Sequence, residues 1–349
     1  MGENVSRILI ETIVKKTLSD IKESPERSIR NLVDMALNFS EGRFQQHFFT
    51  AAQTMLQNEN SAYYDLIRDI VFHVDSQRIL TFGMNVGYNS CTLGAKAIRH
   101  FEQQYHFNIP WTLEFCVKGS MLEDHYDTYA SLIEQGKKLG IYNWVIFTFD
   151  HPAAVFKLVE AHPSLAFTVV CSCDDITDEF LDESEPLHNM MISVRYTENM
   201  EDVCQKMRDR SLLYSIFLRY HSGQIQDILN GDLFCSTESM HATFTMLMPD
   251  FSIPADQAEQ VYDQTVALRN RQLYETVPID IFYDFHLIDS VISNEAHVLG
   301  FDLDGSLCTF SQKLSLPEYN LFQNSLQDIL KAAVPMKKLS SYQADESYL

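Results

Sequence analysis

A change of rhythm near residue 78 constrains this chain more than any other feature. From there on, short β-prone apolar runs recur at 79–82, 111–117, 144–149, 166–171, 190–194 and 213–218, and each leads through a polar turn into a helix-periodic stretch. The helical stretches cover 127–138, 153–160, 177–188, 200–210 and 223–229. Strands alternating with helices at this spacing build parallel βαβ units with right-handed crossovers. Six such units make either a doubly wound open sheet or a partial β/α barrel. Two features favour the barrel. The turn after the first expected strand lacks a dinucleotide-binding glycine pattern, because Gly83, Gly87 and Gly94 stand too far apart. Nearly every unit also ends in a polar group, as a barrel mouth requires.

Residues 1–75 read as a helical region with no evident chemistry. Ile8, Ile10, Ile13, Val14 and Leu18 recur at helix-like spacings, and Ser24-Pro25-Glu26 predicts an N-cap with proline in the first turn. Ile29, Leu32, Val33, Met35, Ala36 and Phe39 continue as one apolar face, Glu41-Gly42 punctuates, and further helices are expected at 44–56 and 62–74. Past Gly231 the regularity fades. A helix is expected at 261–273, an extended segment at 279–285, a hairpin at 298–310 around Asp304-Gly305, and a last helix at 324–333. The expected organisation is a helical region at 1–75, a barrel at 76–230, a small α+β extension at 231–335 and a loose tail at 336–349.

Charge narrows the partners. A formal net charge of −22 over 349 residues repels phosphate backbones and anionic lipid, so neither nucleic acid nor membrane is expected. No run of about 18 apolar residues is present to span a bilayer. Gly2 with Ser6 fits a myristoylation pattern formally, but so short a match on so acidic a chain reads as coincidence. Seven scattered cysteines, an odd number, predict reduced thiols and a cytoplasmic protein.

In a barrel, the polar residues that end the strands collect at one mouth. The candidates are Asn85, Tyr88 and Asn89 after the first expected strand, Asp150 and His151 after the third, Arg195 at the fifth, and Arg219 and His221 at the sixth. His151 beside Asp150 has the make-up of a general base, and Arg195 with Arg219 that of a clamp for carboxylate or phosphate. A small anionic molecule or a peptide is the expected ligand. Helix capping and rim polarity explain the same residues without one. Cys171-Ser172-Cys173-Asp174-Asp175 holds donors for a soft metal, yet alternation on a strand points the thiols away from Ser172 and Asp174. Buried cysteine commonly packs as a small hydrophobe, so no metal is predicted. The acidic run over 174–185 complements a helix dipole. A nucleophile elbow, a phosphate-binding loop and a His-Glu-x-x-His pattern are all missing from the sequence.

The string Phe301-Asp302-Leu303-Asp304-Gly305-Ser306-Leu307 resembles the opening motif of haloacid-dehalogenase-type phosphatases. That fold places its nucleophile strand early, and the roughly forty residues after Leu307 cannot supply its later parts, so a hairpin is expected instead. A second resemblance fits the order of the chain. Asp302-Leu303-Asp304-Gly305-Ser306-Leu307-Cys308, followed by Asn320-Leu321-Phe322 and Ser325-Leu326-Gln327-Asp328-Ile329-Leu330, resembles the SPASM-type extension of radical SAM proteins. The resemblance spans roughly residues 75–333. It implies an α/β fold: a partial (β/α)6 barrel of radical-SAM type with a helical N-terminal region and a small C-terminal SPASM-like α+β extension.

The family holds S-adenosylmethionine on a [4Fe–4S] cluster bound by cysteines spaced Cys-x3-Cys-x2-Cys. Here Cys91, Cys116, Cys171, Cys173, Cys204, Cys235 and Cys308 nowhere take that spacing. The expectation is therefore a radical-SAM-like barrel without cluster ligation and with no cofactor, acting as a binding or accessory protein. S-adenosylmethionine and [4Fe–4S] belong only to a version that has retained the family's function. Two alternatives stand beside it. One is a barrel enzyme, either an unusual radical SAM enzyme or one using acid–base chemistry at the strand ends. The other is a scaffold that binds protein partners through the helices at 8–39.

Overall fold

The computed structural model describes residues 2–38, 43–309 and 312–336; Phe39, Glu41, Gly42, Phe310 and the tail from residue 337 lie outside them. The chain opens with α1 (Gly2–Ile21), α2 (Pro25–Asn38), α3 (Arg43–Met55) and α4 (Ala62–His73), as the periodicity predicts. Ser61 caps α4 by accepting a hydrogen bond from the Tyr63 N–H. Leu18, Ile21, Ile29, Leu56, Tyr64 and Val71 close a small core between these helices, while Ile8 and Leu9 of α1 remain exposed. Among the described residues, no helix is long and apolar enough to cross a membrane.

The run at 79–82, expected as the first strand, is helical. It lies inside α5 (Ser76–Met84), which continues as a π-helix over Asn85–Gly94 and then as α6 (Ala95–Tyr105). Asp75 caps α5 by accepting from the Arg78 N–H. Two faces of this helix are buried at once. Leu80, Met84 and Tyr88 pack against Ile10 and Val14 of α1, whereas Phe82 joins the core on the inner side of the sheet. A helix buried on two sides leaves a continuous apolar run in the sequence, and such a run cannot be told from a strand by periodicity.

The next five expected strands form where predicted. They are β1 (Thr112–Val117), β2 (Asn143–Thr148), β3 (Ala166–Cys171), β4 (Met190–Arg195) and β5 (Tyr214–Tyr220), joined by α7 (Gly119–Leu139), α8 (Phe156–Ala161), α9 (Asp178–Ser184) and α10 (Glu201–Asp209). The sheet then continues past residue 230. After α11 (Ile225–Asn230) and α12 (Asp232–Glu238) come β6 (Phe244–Pro249), α13 (Ala255–Arg271) and β7 (Val277–Asp280). The segment at 279–285, expected as extended, turns after Asp280 into α14 (Ile281–Ile292), with Asp280 accepting from the Tyr283 N–H as its cap. A hairpin of β8 (Leu299–Phe301) and β9 (Leu307–Thr309) forms around Asp304-Gly305, followed by β10 (Lys313–Leu314) and α15 (Leu326–Ala333).

Strand order across the sheet is β10-β9-β8-β1-β2-β3-β4-β5-β6-β7, with β1 to β7 parallel in chain order and β8 parallel to β1. From β1 to β7 the strands keep chain order, without the part-way reversal of a doubly wound sheet, so right-handed crossovers place their helices on a single face. On that face Phe115, Trp144, Phe167 and Ile192 pack against Leu132, Leu158 and Leu181 of the crossover helices. The other face curls inward. Val145, Phe147, Val170, Met191, Phe217 and Met246 meet there with Phe82 of α5 and Ile281 of α14. Curvature is strong enough that Glu114 on β1 and Met248 on β6, with four strands between them, line one cavity. The edges β10 and β7 stay unjoined. The architecture is an α/β partial barrel with a helical N-terminal region and a C-terminal hairpin extension.

Arg78 fastens α5 to this barrel. Its buried guanidinium donates to the carbonyls of Leu187 at 2.6 Å, Glu185 at 2.7 Å and Ser184 at 3.3 Å, filling the acceptors left open at the end of α9. Burial lowers this arginine to about 10, so the contact is held at neutral pH. Arg78→Met removes every donor while keeping much of the side chain's bulk. It is expected to destabilise the fold by about 3 kcal/mol, read as a shift in the urea midpoint. An unchanged midpoint would show that the carbonyls find other partners.

Candidate functional site

The sequence candidates divide between the two ends of the sheet. Asn85, Tyr88 and Asn89 sit at the N-terminal ends of the strands, away from the mouth where they were expected. The Asn85 amide donates to the carbonyls of Pro163 at 3.0 Å and Leu165 at 2.8 Å, and the Asn89 amide donates to the Ser164 carbonyl at 2.9 Å. Both asparagines are buried, and together they fix the loop that enters β3. Their displacement follows from the helical state of 79–82. With no strand there, the segment after it cannot be a strand-end loop.

Asp150 and His151 do follow β2 at its C-terminal end, but they turn toward the outer helices. The Asp150 carboxylate accepts from the Ser120 N–H at 3.0 Å and from the Ser120 hydroxyl at 2.8 Å, capping the start of α7. Burial works against its ionisation, yet the Ser120 bonds prevail and hold it below the usual carboxylate range. His151 is exposed and takes a left-handed backbone with φ of 39°. The chain passes so close to α7 that a Cβ on Gly119 would lie 2.2 Å from the His151 carbonyl oxygen. A side chain at 119 would push the β2 end away from the helix. Asp150 thus serves α7, and neither residue lines the inner cavity.

Arg195, Arg219 and His221 come together around the ends of β4 to β6. Register pairs Arg195 with Phe217 and Arg219 with Met248, which places both guanidiniums on the inner face of the sheet. Arg195 donates to the Thr148 carbonyl at 2.8 Å and lies 4.9 Å from the centre of the Phe149 ring. Arg219 stands 3.4 Å from an Asp250 oxygen and 4.7 Å from the centre of the Phe251 ring. Hydrogen bonds from the Ser252 N–H and hydroxyl, aided by the charge of Arg219, hold Asp250 below the usual carboxylate range. His221 accepts from the Gly223 N–H at 3.1 Å and so caps the following turn. The exposed rings of Phe149 and Phe251 back the two arginines.

Beneath these groups lies a cavity of about 250 Å³. Its walls come from β6 and the loop after it, from α13 and α14, and from β8 and β9, with Glu114 of β1 at its base. Glu114 is missing from the sequence candidates, although a signal was present: a lone acid inside the otherwise uncharged strand Thr-Leu-Glu-Phe-Cys-Val. Asp250 and Phe251 escaped notice because β6 itself was not expected.

Among the described residues, no three His, Cys, Asp or Glu side chains gather closely enough to hold a metal ion. All seven cysteines are free. Cys116 lies within β1, and α7 begins two residues after that strand's last residue. Burial pushes the Cys91, Cys116 and Cys171 thiols up to about 12.

No protein-family model matches this chain, and no curated protein is detectably similar in sequence. Among solved structures it is similar to Streptococcus suis SuiB. SuiB bound to S-adenosylmethionine aligns over 67% of this chain and 66% of that one, just under two thirds, at 8% identity and a TM-score of 0.47. SuiB bound to the precursor peptide SuiA aligns over 68% of each chain at 10% identity and a TM-score of 0.48. A further SuiB structure aligns over 86% of this chain and 78% of that one at 8% identity and a TM-score of 0.47. A likeness this distant transfers no residue's role.

Burial raises the Glu114 carboxyl to about 7, with the charge of Arg219 partly opposing it. An unfolded glutamate titrates near 4.3. Between these values the folded chain holds a proton that the unfolded chain has released. The stabilisation from Glu114 is therefore complete below about pH 4 and is lost as pH rises through 7. Glu114→Gln is expected to gain stability over the native chain at pH 8, on the order of 3 kcal/mol, relative to their difference at pH 4. Urea titrations of both proteins at the two pH values measure this. An equal difference at both would place the shift elsewhere.

Proposed function

We propose that this protein is a partial-barrel binding protein that takes a small molecule or a peptide end at the C-terminal mouth of its sheet, without a thiolate-held cluster. The observation that carries the reading is the pair of guanidiniums on the inner face of β4 and β5, each backed by an aromatic ring, above a largely apolar hollow. A planar guanidinium offers parallel N–H donors to a carboxylate or phosphate. Arg219 is 39% exposed in its side chain, and among the described residues its ion partner is Asp250, which leaves donors for a ligand. The chain's overall charge of −22 disfavours loose anion binding, so recognition depends on this local geometry. Seven free thiols fit a reducing compartment, in keeping with a cytoplasmic protein.

A scaffold role has one observation of its own, the exposed Ile8 and Leu9 on α1. The remaining apolar face of α1 is spent on α2, α4 and α5, so the mouth reading explains more of the molecule.

Titration of the native protein with short apolar peptides, carried out with free and with amidated C-termini, tests the clamp. Free peptides are expected to bind more tightly, and Arg219→Gln is expected to weaken them by roughly tenfold or more. Indifference to amidation would remove the clamp from consideration. The cluster-free part is checked by anaerobic reconstitution with iron and sulfide. No stoichiometric uptake is expected, and a full [4Fe–4S] absorbance band would overturn it.

A further inference from the structure

One buried acid on the inner face of the sheet has a carboxylate oxygen that no hydrogen bond reaches among the described residues. Glu114 is 8% exposed, and its Oε1 receives no hydrogen bond. The other acids buried near β1 are engaged. Glu102 accepts from the N–H groups of Ile109 and Asn294 and from the Ser293 hydroxyl, and Asp289 accepts from the N–H groups of Trp111 and His297. Both of those carboxylates hold loops together. Glu114 instead opens onto the 250 Å³ cavity. A buried polar group left without a partner costs roughly 1–3 kcal/mol, and such groups in native proteins are few.

The surroundings say what kind of partner is missing. Gly300 is the register partner of Glu114 on β8, and a Cβ there would come within 3.1 Å of the Glu114 Cβ. The bare glycine keeps the carboxyl accessible from the hollow. Glu114 and Asp250 are the acids in the lining, Cys308 adds a thiol, and no lysine, arginine or histidine lines it. Most of the remaining wall is hydrocarbon or aromatic, from Met248, Phe251, Ile253, Phe282, Val298 and Leu299. Arg219 acts on Glu114 through its charge, but its guanidinium is engaged with Asp250 and Phe251 and leaves Oε1 unbonded.

We propose that this cavity binds a primary amine carried on a short apolar body, its ammonium donating to the Glu114 carboxylate and its hydrocarbon lying against Met248, Phe282, Val298 and Leu299. An acceptor with no donor calls for N–H groups, and a lining with acids and no base rejects an anion. A bare hard cation needs six or more oxygen ligands, which carbon walls do not supply. The volume holds about eight waters at ~30 Å³ each, which suits a body of about five to eight carbons. The site shares Asp250 and Phe251 with the surroundings of Arg219, but its amine contact is Glu114 and makes no use of the clamp.

The test uses the full chain at pH 8 and calorimetric titration with n-pentylamine, pentan-1-ol and pentanoate. Pentylamine is expected to bind saturably, the alcohol at least tenfold more weakly, and any binding of pentanoate to depend on Arg219 and not on Glu114. Glu114→Gln is expected to cost pentylamine at least tenfold and to leave the alcohol unchanged. Ala255→Phe, an exposed position at the start of α13 on the cavity wall, is expected to block both while the circular dichroism spectrum stays native. Absence of saturable amine binding, equal binding of amine and alcohol, or affinity untouched by either substitution would each overturn the proposal. The peptide titration reads the arginines and this one reads Glu114, so the two readings fail separately.

Discussion

A parallel sheet laid down strand by strand in chain order covers only one of its faces with its own crossover helices. Everything else in this molecule answers the problem of the second face. The sheet curls around it, Phe82 of α5 enters from one end, and Ile281 of α14 closes part of the side. Phe147 and Phe217, with ring centres 5.4 Å apart, bridge the curve between β2 and β5. Close packing is reached near the N-terminal ends of the strands. Toward the C-terminal ends the filling stops, and what remains is the hollow over Glu114.

The two ends of the barrel consequently differ in how their polar groups are satisfied. At the N-terminal end, side chains from the π-helix and α5 meet loop carbonyls, so Asn85, Asn89 and Arg78 act as internal fasteners. The approach is tight there as well: a Cβ on Gly94 would sit 2.4 Å from the Gly140 carbonyl oxygen, and Gly140 itself ends α7 with φ of 103°. At the C-terminal end, guanidiniums stack on exposed rings, and a carboxyl lacks a donor. Satisfied groups give rigidity, whereas groups left open give a place for something else to bind.

Much of this architecture is legible in the sequence, for definite reasons. Strands β1 to β5 are short runs of β-branched and aromatic residues between polar turns, and the β8–β9 hairpin is marked by Asp304-Gly305. The failures are equally specific. α5 reads as a strand because both its faces are buried. β6 is rich in methionine and lacks the β-branched signature, and β7 is a four-residue segment containing a proline. Candidate residues fared according to the strands that carry them. Arg195, Arg219 and His221 stand at the C-terminal end of the sheet as expected, while Asn85, Tyr88 and Asn89 went to the opposite end with the misread strand. Glu114 was overlooked because attention to strand ends passes over strand middles. Only the fold turns that position toward a hollow.

The Arg78 contacts also bear on the order in which the chain can assemble. Its acceptor carbonyls lie 106 to 109 residues further along. As the polypeptide leaves the ribosome, α1 to α4 can gather early, since their contacts with one another are local. The arginine, by contrast, must wait in solvent until α9 has emerged and turned back. Final docking of the leading helices is thereby tied to the birth of β4, and the last step of that docking closes a loop about a third of the chain long.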